Sequence, residues 1–238
     1  MISMAYSRIP AVKSYLASLV QLRGVWGWIL VGSALFPGIF LFSTAISSLL
    51  GLAPASTFRL PGSEPTLIGL IGITFLYQLF FFNATGEETG WRGFALPRLQ
   101  ARTSPLIAAL VIGFFWASWH FFLWQAEGRP VFEWQFWVEM YIVHMLGSLI
   151  IVWVCNQAGG SILVAGVTHA AANTVQAFIS QPDGRVLLSI CLIIALAMIL
   201  ADKMWKRLPS DHPAVFQTPE LAGWRLSSPV GGEGKVLS

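Results

Sequence analysis

Runs of roughly twenty mostly apolar residues, the length a helix needs to cross a bilayer, alternate with short polar breaks along most of this chain. Six such runs are read as membrane spans: 25–50, 66–86, 105–125, 136–156, 160–180 and 186–202. Ahead of the first, Val12, Leu16, Leu19 and Val20 recur at helical spacing. They predict an extra N-terminal amphipathic helix, lying at the interface or packed on the bundle. Beyond the last run, residues 203–238 are polar, rich in Pro, Gly and Ser, and without periodicity; they read as a flexible tail. The expected fold is all-α, a polytopic transmembrane helix bundle. Residues 1–24 form its N-terminal segment, 25–202 the transmembrane domain and 203–238 the tail. No internal repeat is evident, which weighs against transporter designs built on duplicated halves.

Composition supports a membrane setting. Charged residues make up 11% of the 238 positions and hydrophobic ones 55%, whereas soluble domains carry about 25% charged residues. The net charge of +3 does not point to nucleic acid, because the basic residues gather at segment ends. Cys155 and Cys191 both lie in apolar runs and read as small buried hydrophobes. Arg8, Lys13 and Arg23 precede a long apolar stretch without a small-residue cleavage site, so no cleavable signal peptide is expected. Lys and Arg also set the orientation. Arg8, Lys13, Arg23, Arg92, Arg98, Arg102, Lys203, Lys206 and Arg207 flank one side; Arg59, Arg129 and Arg185 flank the other. This asymmetry places the chain in the cell membrane with both termini in the cytoplasm. Trp26, Trp28, Trp124, Trp134, Trp137 and Trp205 fall near span ends, as interfacial aromatics do.

Against this background a few polar groups stand out. Glu87-Glu88-Thr89-Gly90-Trp91-Arg92-Gly93 follows an uncharged run, and ionisable groups there are expected to face a protein interior or a water-filled cavity. On a helix, Glu88 and Arg92 are i, i+4 neighbours with the acid N-terminal, the favourable order for an ion pair. Glu87, rotated about 100° from Glu88, is left free to hold a water. His120 ends the run Trp116-Ala117-Ser118-Trp119-His120, and taken alone it would more often be a packing residue. His169 and Asn173, separated by three alanines, stack on one helix face that another helix can approach closely. His144, without an evident partner at helical spacing, reads as structural or supporting. Depth adds a constraint. If the second span stopped at Gly86, Glu87 and His120 would lie nearly 20 Å apart in depth. The second helix is therefore expected to run on through the Glu pair to a break at Pro97.

Taken together, Glu-Glu-x-x-x-Arg, aromatic-x-x-x-His and His-x-x-x-Asn on separate hydrophobic helices resemble the CPBP family of intramembrane proteases. That family groups type II CAAX prenyl endopeptidases with bacteriocin-processing and Abi-type proteins. The resemblance covers roughly residues 66–180. It implies that Glu87 is the catalytic glutamate, with Glu88 and Arg92 completing the first motif, His120 in the second and His169 with Asn173 in the third. Trp116 stands where the family pattern usually has Phe.

Peptide hydrolysis needs an activated water and a stabilised oxyanion. Glu87 suits the general base, His120 the positioning of the water, and His169 with Asn173 the oxyanion. No cofactor is required on this preferred reading. In the alternative, carried by the family's metalloprotease label, His120 and His169 with a carboxylate bind Zn²⁺, although no His-Glu-x-x-His pair is present. The implied partners are the lipid bilayer and a peptide or protein substrate, which can itself be membrane-anchored. The rival readings are an inactive membrane scaffold or immunity protein, and a small proton-coupled transporter.

Overall fold

The computed structural model describes residues 22–52, 64–179 and 181–215. The expected N-terminal amphipathic helix lies almost wholly outside them. The described elements are helical: α1 Trp26–Leu49, α2 Glu64–Tyr77, a π-helical segment Gln78–Ala95, α3 Leu96–Gln100, α4 Pro105–Trp119, α5 Phe121–Ala126, α6 Trp134–Gln157, α7 Ile162–Phe178 and α8 Gly184–Ala201. Each of the six expected spans coincides with one of these helices or with a consecutive run of them. Four are long and apolar enough to cross a membrane, or five if the bent rod containing α2 counts as one. The result is a helical membrane bundle. Leu30, Phe81, Phe122, Ile193 and Leu200 are all exposed, an outward apolar surface that suits lipid as solvent.

Local sequence explains the helix starts. The Ser104 side chain accepts from the Ile107 N–H, with Pro105 opening α4; Ser161 accepts from Val164 at the start of α7, and Asp183 from Arg185 at the start of α8. Each oxygen satisfies one of the free N–H groups at a helix start. The second helix does continue through the Glu pair, as the depth argument requires, but it does not stop at Pro97. It bends by 51° between Leu67–Phe82 and Gly86–Gln100 and regains α geometry at Leu96. Pro97 falls in the first turn of that α stretch, where its missing N–H costs least.

Packing centres on α7, where most of the 17 residues are buried. It lies against α1, α2, the π-helical segment and α6, while α4 pairs with α6, and α8 covers α1 and α6. Two glycines set the closest crossings. A Cβ at Gly32 of α1 would lie 2.4 Å from Thr168 Oγ1 on α7. One at Gly113 of α4 would lie 2.7 Å from Met145 Cα and 2.9 Å from the His144 carbonyl oxygen of α6. In a membrane, helices associate through such close approach rather than through hydrophobic transfer.

Two expectations change. Trp124 is not an interfacial aromatic: it is buried and stacks on His120 with ring centroids 5.1 Å apart. Nor is the chain after residue 203 a free tail as far as Val215. Met204, Ala214 and Val215 are buried, and the Met204 carbonyl accepts from Leu106 N–H at 3.0 Å. Gln100 donates to the Ala214 carbonyl at 2.8 Å while exchanging amide hydrogen bonds with Asn156. These bonds give backbone and side-chain partners that composition alone does not reveal.

The tight α4–α6 crossing is testable. Gly113→Ala is expected to destabilise by about 1–3 kcal/mol, the usual cost of overpacking, because the obstructing atoms are backbone. Gly38→Ala on α1, where a Cβ meets nothing within 4 Å, is the control. Thermal melts in detergent should separate the two; equal melting points would contradict the crossing.

Candidate active site

Four elements supply the site, and their sequences explain why each delivers its polar group. The π-helical segment carries Glu87, Glu88 and Arg92. Helices with i→i+5 bonding are rare and frequent at functional sites; here the pattern is marked by the Leu96 N–H donating to the Trp91 carbonyl. The expected Glu88–Arg92 pair forms, with Arg92 Nη1 2.8 Å from Glu88 Oε1 and both side chains fully buried. His169 Nδ1 lies 2.8 Å from the same oxygen. Arg92 Nη2 reaches Ser148 Oγ of α6 at 3.4 Å, and the guanidinium lies over the Trp116 ring at 5.1 Å. The ion pair therefore reaches α4, α6 and α7 together.

Glu87 faces a different partner. It is half-buried, and its Oε2 accepts from the Trp116 indole N–H at 2.7 Å. His120 sits at the junction of α4 and α5, as the C-cap of α4. Its Nδ1 lies 2.8 Å from the Trp116 carbonyl oxygen. A carbonyl only accepts, so Nδ1 carries the proton and Nε2 is free to face a ligand. The same logic gives His169 an Nδ1–H, held by the Glu88 carboxylate.

Trp116 links the three motifs. Its ring contacts those of His120, His144 and His169, with centroid separations of 6.1, 4.9 and 4.9 Å. Asn173, one turn beyond His169, is half-buried, and its side chain makes no hydrogen bond to another described residue. The structure thus brings Glu87, Glu88, Arg92, His120 and His169 around one indole, with Asn173 on the adjoining turn of α7.

Sequence reasoning undervalued two groups. Trp116 was noted as an aromatic, not as a hydrogen-bond donor. His144 has a neighbour at helical spacing after all, Ser148, which meets Arg92. The His144 ring lies 5.1 Å from that of His120, and its Nδ1 is 2.7 Å from the Met140 carbonyl oxygen. The i, i+4 pairing of His144 with Ser148 was the available signal.

Among the described residues, no group of three or more His, Cys, Asp or Glu side chains is placed to hold a metal ion. His120 and His169 are both at the site, but Glu88 is committed to Arg92 and His169. A cavity of about 380 Å³ opens between α1, α2 and α7, lined by Pro37, Ile71, Phe75, Val175 and Phe178 among others. None of the motif side chains lines it.

The buried pair predicts a difference between neighbouring variants. Arg92→Ala strands Glu88 without its fixed cation, a loss of about 3–5 kcal/mol for a broken buried pair. Glu87→Gln keeps shape and the capacity to accept from Trp116, and should melt close to wild type. Equal melting points for the two variants in detergent would show that the Glu88–Arg92 pair is not structural.

Comparison with known proteins points to one kind of relative. The Type II CAAX prenyl endopeptidase Rce1-like family matches residues 64–175, which span all three motifs. A protein named CAAX prenyl protease 2, from Methanococcus maripaludis (strain S2), is 30% identical over 176 residues, 71% of this chain and 64% of that protein. The chain thus matches somewhat less than two thirds of that relative's length. With the motifs gathered around one buried ion pair, the chain is similar to the Type II CAAX prenyl endopeptidase Rce1-like family over residues 64–175 and to this named relative.

Proposed function

We propose that this chain is an intramembrane endopeptidase that hydrolyses a peptide bond at the Glu87–Trp116–His120–His169 cluster. The observation that carries the reading is the unequal treatment of two adjacent carboxylates. Glu88 is ion-paired with Arg92 and hydrogen-bonded by His169, whereas Glu87 has no ion pair among the described residues and accepts from an indole N–H. A carboxylate with one oxygen held by a neutral donor and the other outside any ion pair is placed to act as a general base.

The chemistry then follows from the atoms. Glu87 removes a proton from a water that His120 Nε2 orients by accepting its second hydrogen. The hydroxide adds to the scissile carbonyl carbon, and charge passes to the carbonyl oxygen. His169 Nε2–H and the Asn173 amide donate to that oxyanion. His169 donates at Nε2 while its Nδ1–H serves Glu88, so the ring enters this step with both nitrogens protonated. As the C–N bond breaks, the proton held by Glu87 passes to the leaving nitrogen. None of these steps requires a metal.

The name of the M. maripaludis relative supplies the first substrate to try, a peptide ending in a prenylated CAAX sequence. With purified protein and such an internally quenched peptide, Glu87→Gln should lower kcat by at least ~10²-fold, the range for loss of a general base. Activity should persist after exhaustive chelation, with substoichiometric zinc by elemental analysis. Loss of activity on chelation with restoration by Zn²⁺ would establish the metal reading instead. Wild-type turnover matched by Glu87→Gln would remove Glu87 from the mechanism.

The proposed orientation puts both termini, and access to the site, on the cytoplasmic side. Reporter fusions at each end should give cytoplasmic signals. An external signal from either would reverse the side from which a substrate segment enters.

A further inference from the structure

We infer that Trp116 is a positioning residue that fixes the catalytic rotamer of Glu87 through its indole N–H. This inference rests on the proposed role of Glu87 as the base. Three observations carry it. The Nε1–Oε2 distance is 2.7 Å, short for an N–H donor to oxygen and in the range of charge-assisted hydrogen bonds. The ring that carries the donor cannot swing, because it is buried and clamped on several sides. Arg92 stands over it at 5.1 Å, and the His144 and His169 rings meet it edge-on at 4.9 Å. Finally, the backbone of the same residue holds His120, whose Nδ1 donates to the Trp116 carbonyl at 2.8 Å.

One residue therefore holds both groups assigned to the water, by its side chain for Glu87 and by its main chain for His120. The consequence is directional. Fixing Oε2 on the indole leaves Oε1 as the oxygen available to take a proton. It also prevents Glu87 from turning toward Arg92, where a second carboxylate would compete with Glu88. A base that is free to rotate samples unproductive orientations, and misplacement of about 1 Å can cost on the order of a hundredfold in rate. An aromatic ring without a donor at this position keeps the packing and loses the orientation.

Two variants and one spectroscopic readout test this. Trp116→Phe keeps a ring and removes the N–H. Site-specific replacement by β-(3-benzothienyl)alanine keeps the full bicyclic shape with sulfur in place of the N–H. With the internally quenched prenylated peptide, both should lower kcat by about 10- to 100-fold and leave KM within about twofold. Wild-type kcat in the benzothienyl variant would overturn the inference, since only the donor has been changed.

The second readout does not depend on turnover. In ¹⁵N-tryptophan-labelled protein in detergent, the Trp116 indole N–H resonance, assigned by its absence in Trp116→Phe, should be shifted downfield. It should move upfield in Glu87→Gln, where the acceptor is neutral. An indole resonance unchanged by Glu87→Gln would overturn the hydrogen bond itself. If wild-type protein fails to cleave the peptide while the indole still responds to Glu87→Gln, the failure lies with the proposed activity on that substrate and the Trp116–Glu87 contact stands.

Discussion

Burying the charges of Glu88 and Arg92 inside an apolar bundle costs several kcal/mol per ion, a cost offset only when the pair is close and its remaining hydrogen-bonding groups find partners. Here the pair is joined at 2.8 Å with both side chains fully buried. Partners come from three helices, His169 from α7, Ser148 from α6 and the face of Trp116 from α4, while Glu88 Oε2 and Arg92 Nε are buried without a hydrogen-bond partner among the described residues. None of these contacts is available within the π-helical segment alone. The bundle must therefore assemble around the pair in one arrangement. A shift of α7 or α4 relative to Arg92 would leave a charge without its partners in a medium that supplies none.

The small residues make that arrangement reachable. Gly113 lets α4 approach the α6 backbone closely enough to meet the main chain of His144 and Met145, and this brings the His144 ring beside Trp116. Gly32 does the same for α1 and α7 at Thr168, the residue before His169. Steric permission at two crossings thus becomes chemical position at the site. A bulkier side chain at either place would act on the imidazoles through the backbone, without touching them.

Adjacent identical side chains acquire different tasks by this route. Glu87 and Glu88 have the same chemistry and differ by one position on a helix. Glu88 points to a guanidinium and an imidazole and becomes part of the framework. Glu87 points to a neutral indole donor, and the proposed reaction assigns its carboxylate to proton transfer. The stability of the fold and the proposed reaction are divided between neighbouring carboxylates, and Arg92 decides which carries which. The covering segment as far as Val215 belongs to the same framework. Through Gln100 and Asn156 it ties the end of α3 to the end of α6, below the helical turns that carry Arg92.

Much of this was legible in the chain itself. Apolar run lengths located the helices, but of the six expected spans four, or five with the bent rod, are long and apolar enough to cross a membrane, and α7 with its 17 residues falls short. The i, i+4 spacing gave the Glu88–Arg92 pair, because one turn of helix fixes that contact locally. The motif order gave the resemblance to a protease family, and a depth argument gave the continuation of the second helix through Glu87. Other features depended on contacts between residues far apart in sequence. The indole N–H of Trp116 meets Glu87 across 29 positions, and His169 meets Glu88 across 81. No local pattern encodes either meeting. Trp124 moved from an expected interface to the interior, and residues 204–215 from an expected tail to the bundle surface, for the same reason. Local periodicity determines which face of a helix is apolar. Only tertiary packing determines what that face meets, and so which of two neighbouring carboxylates is left without a countercharge.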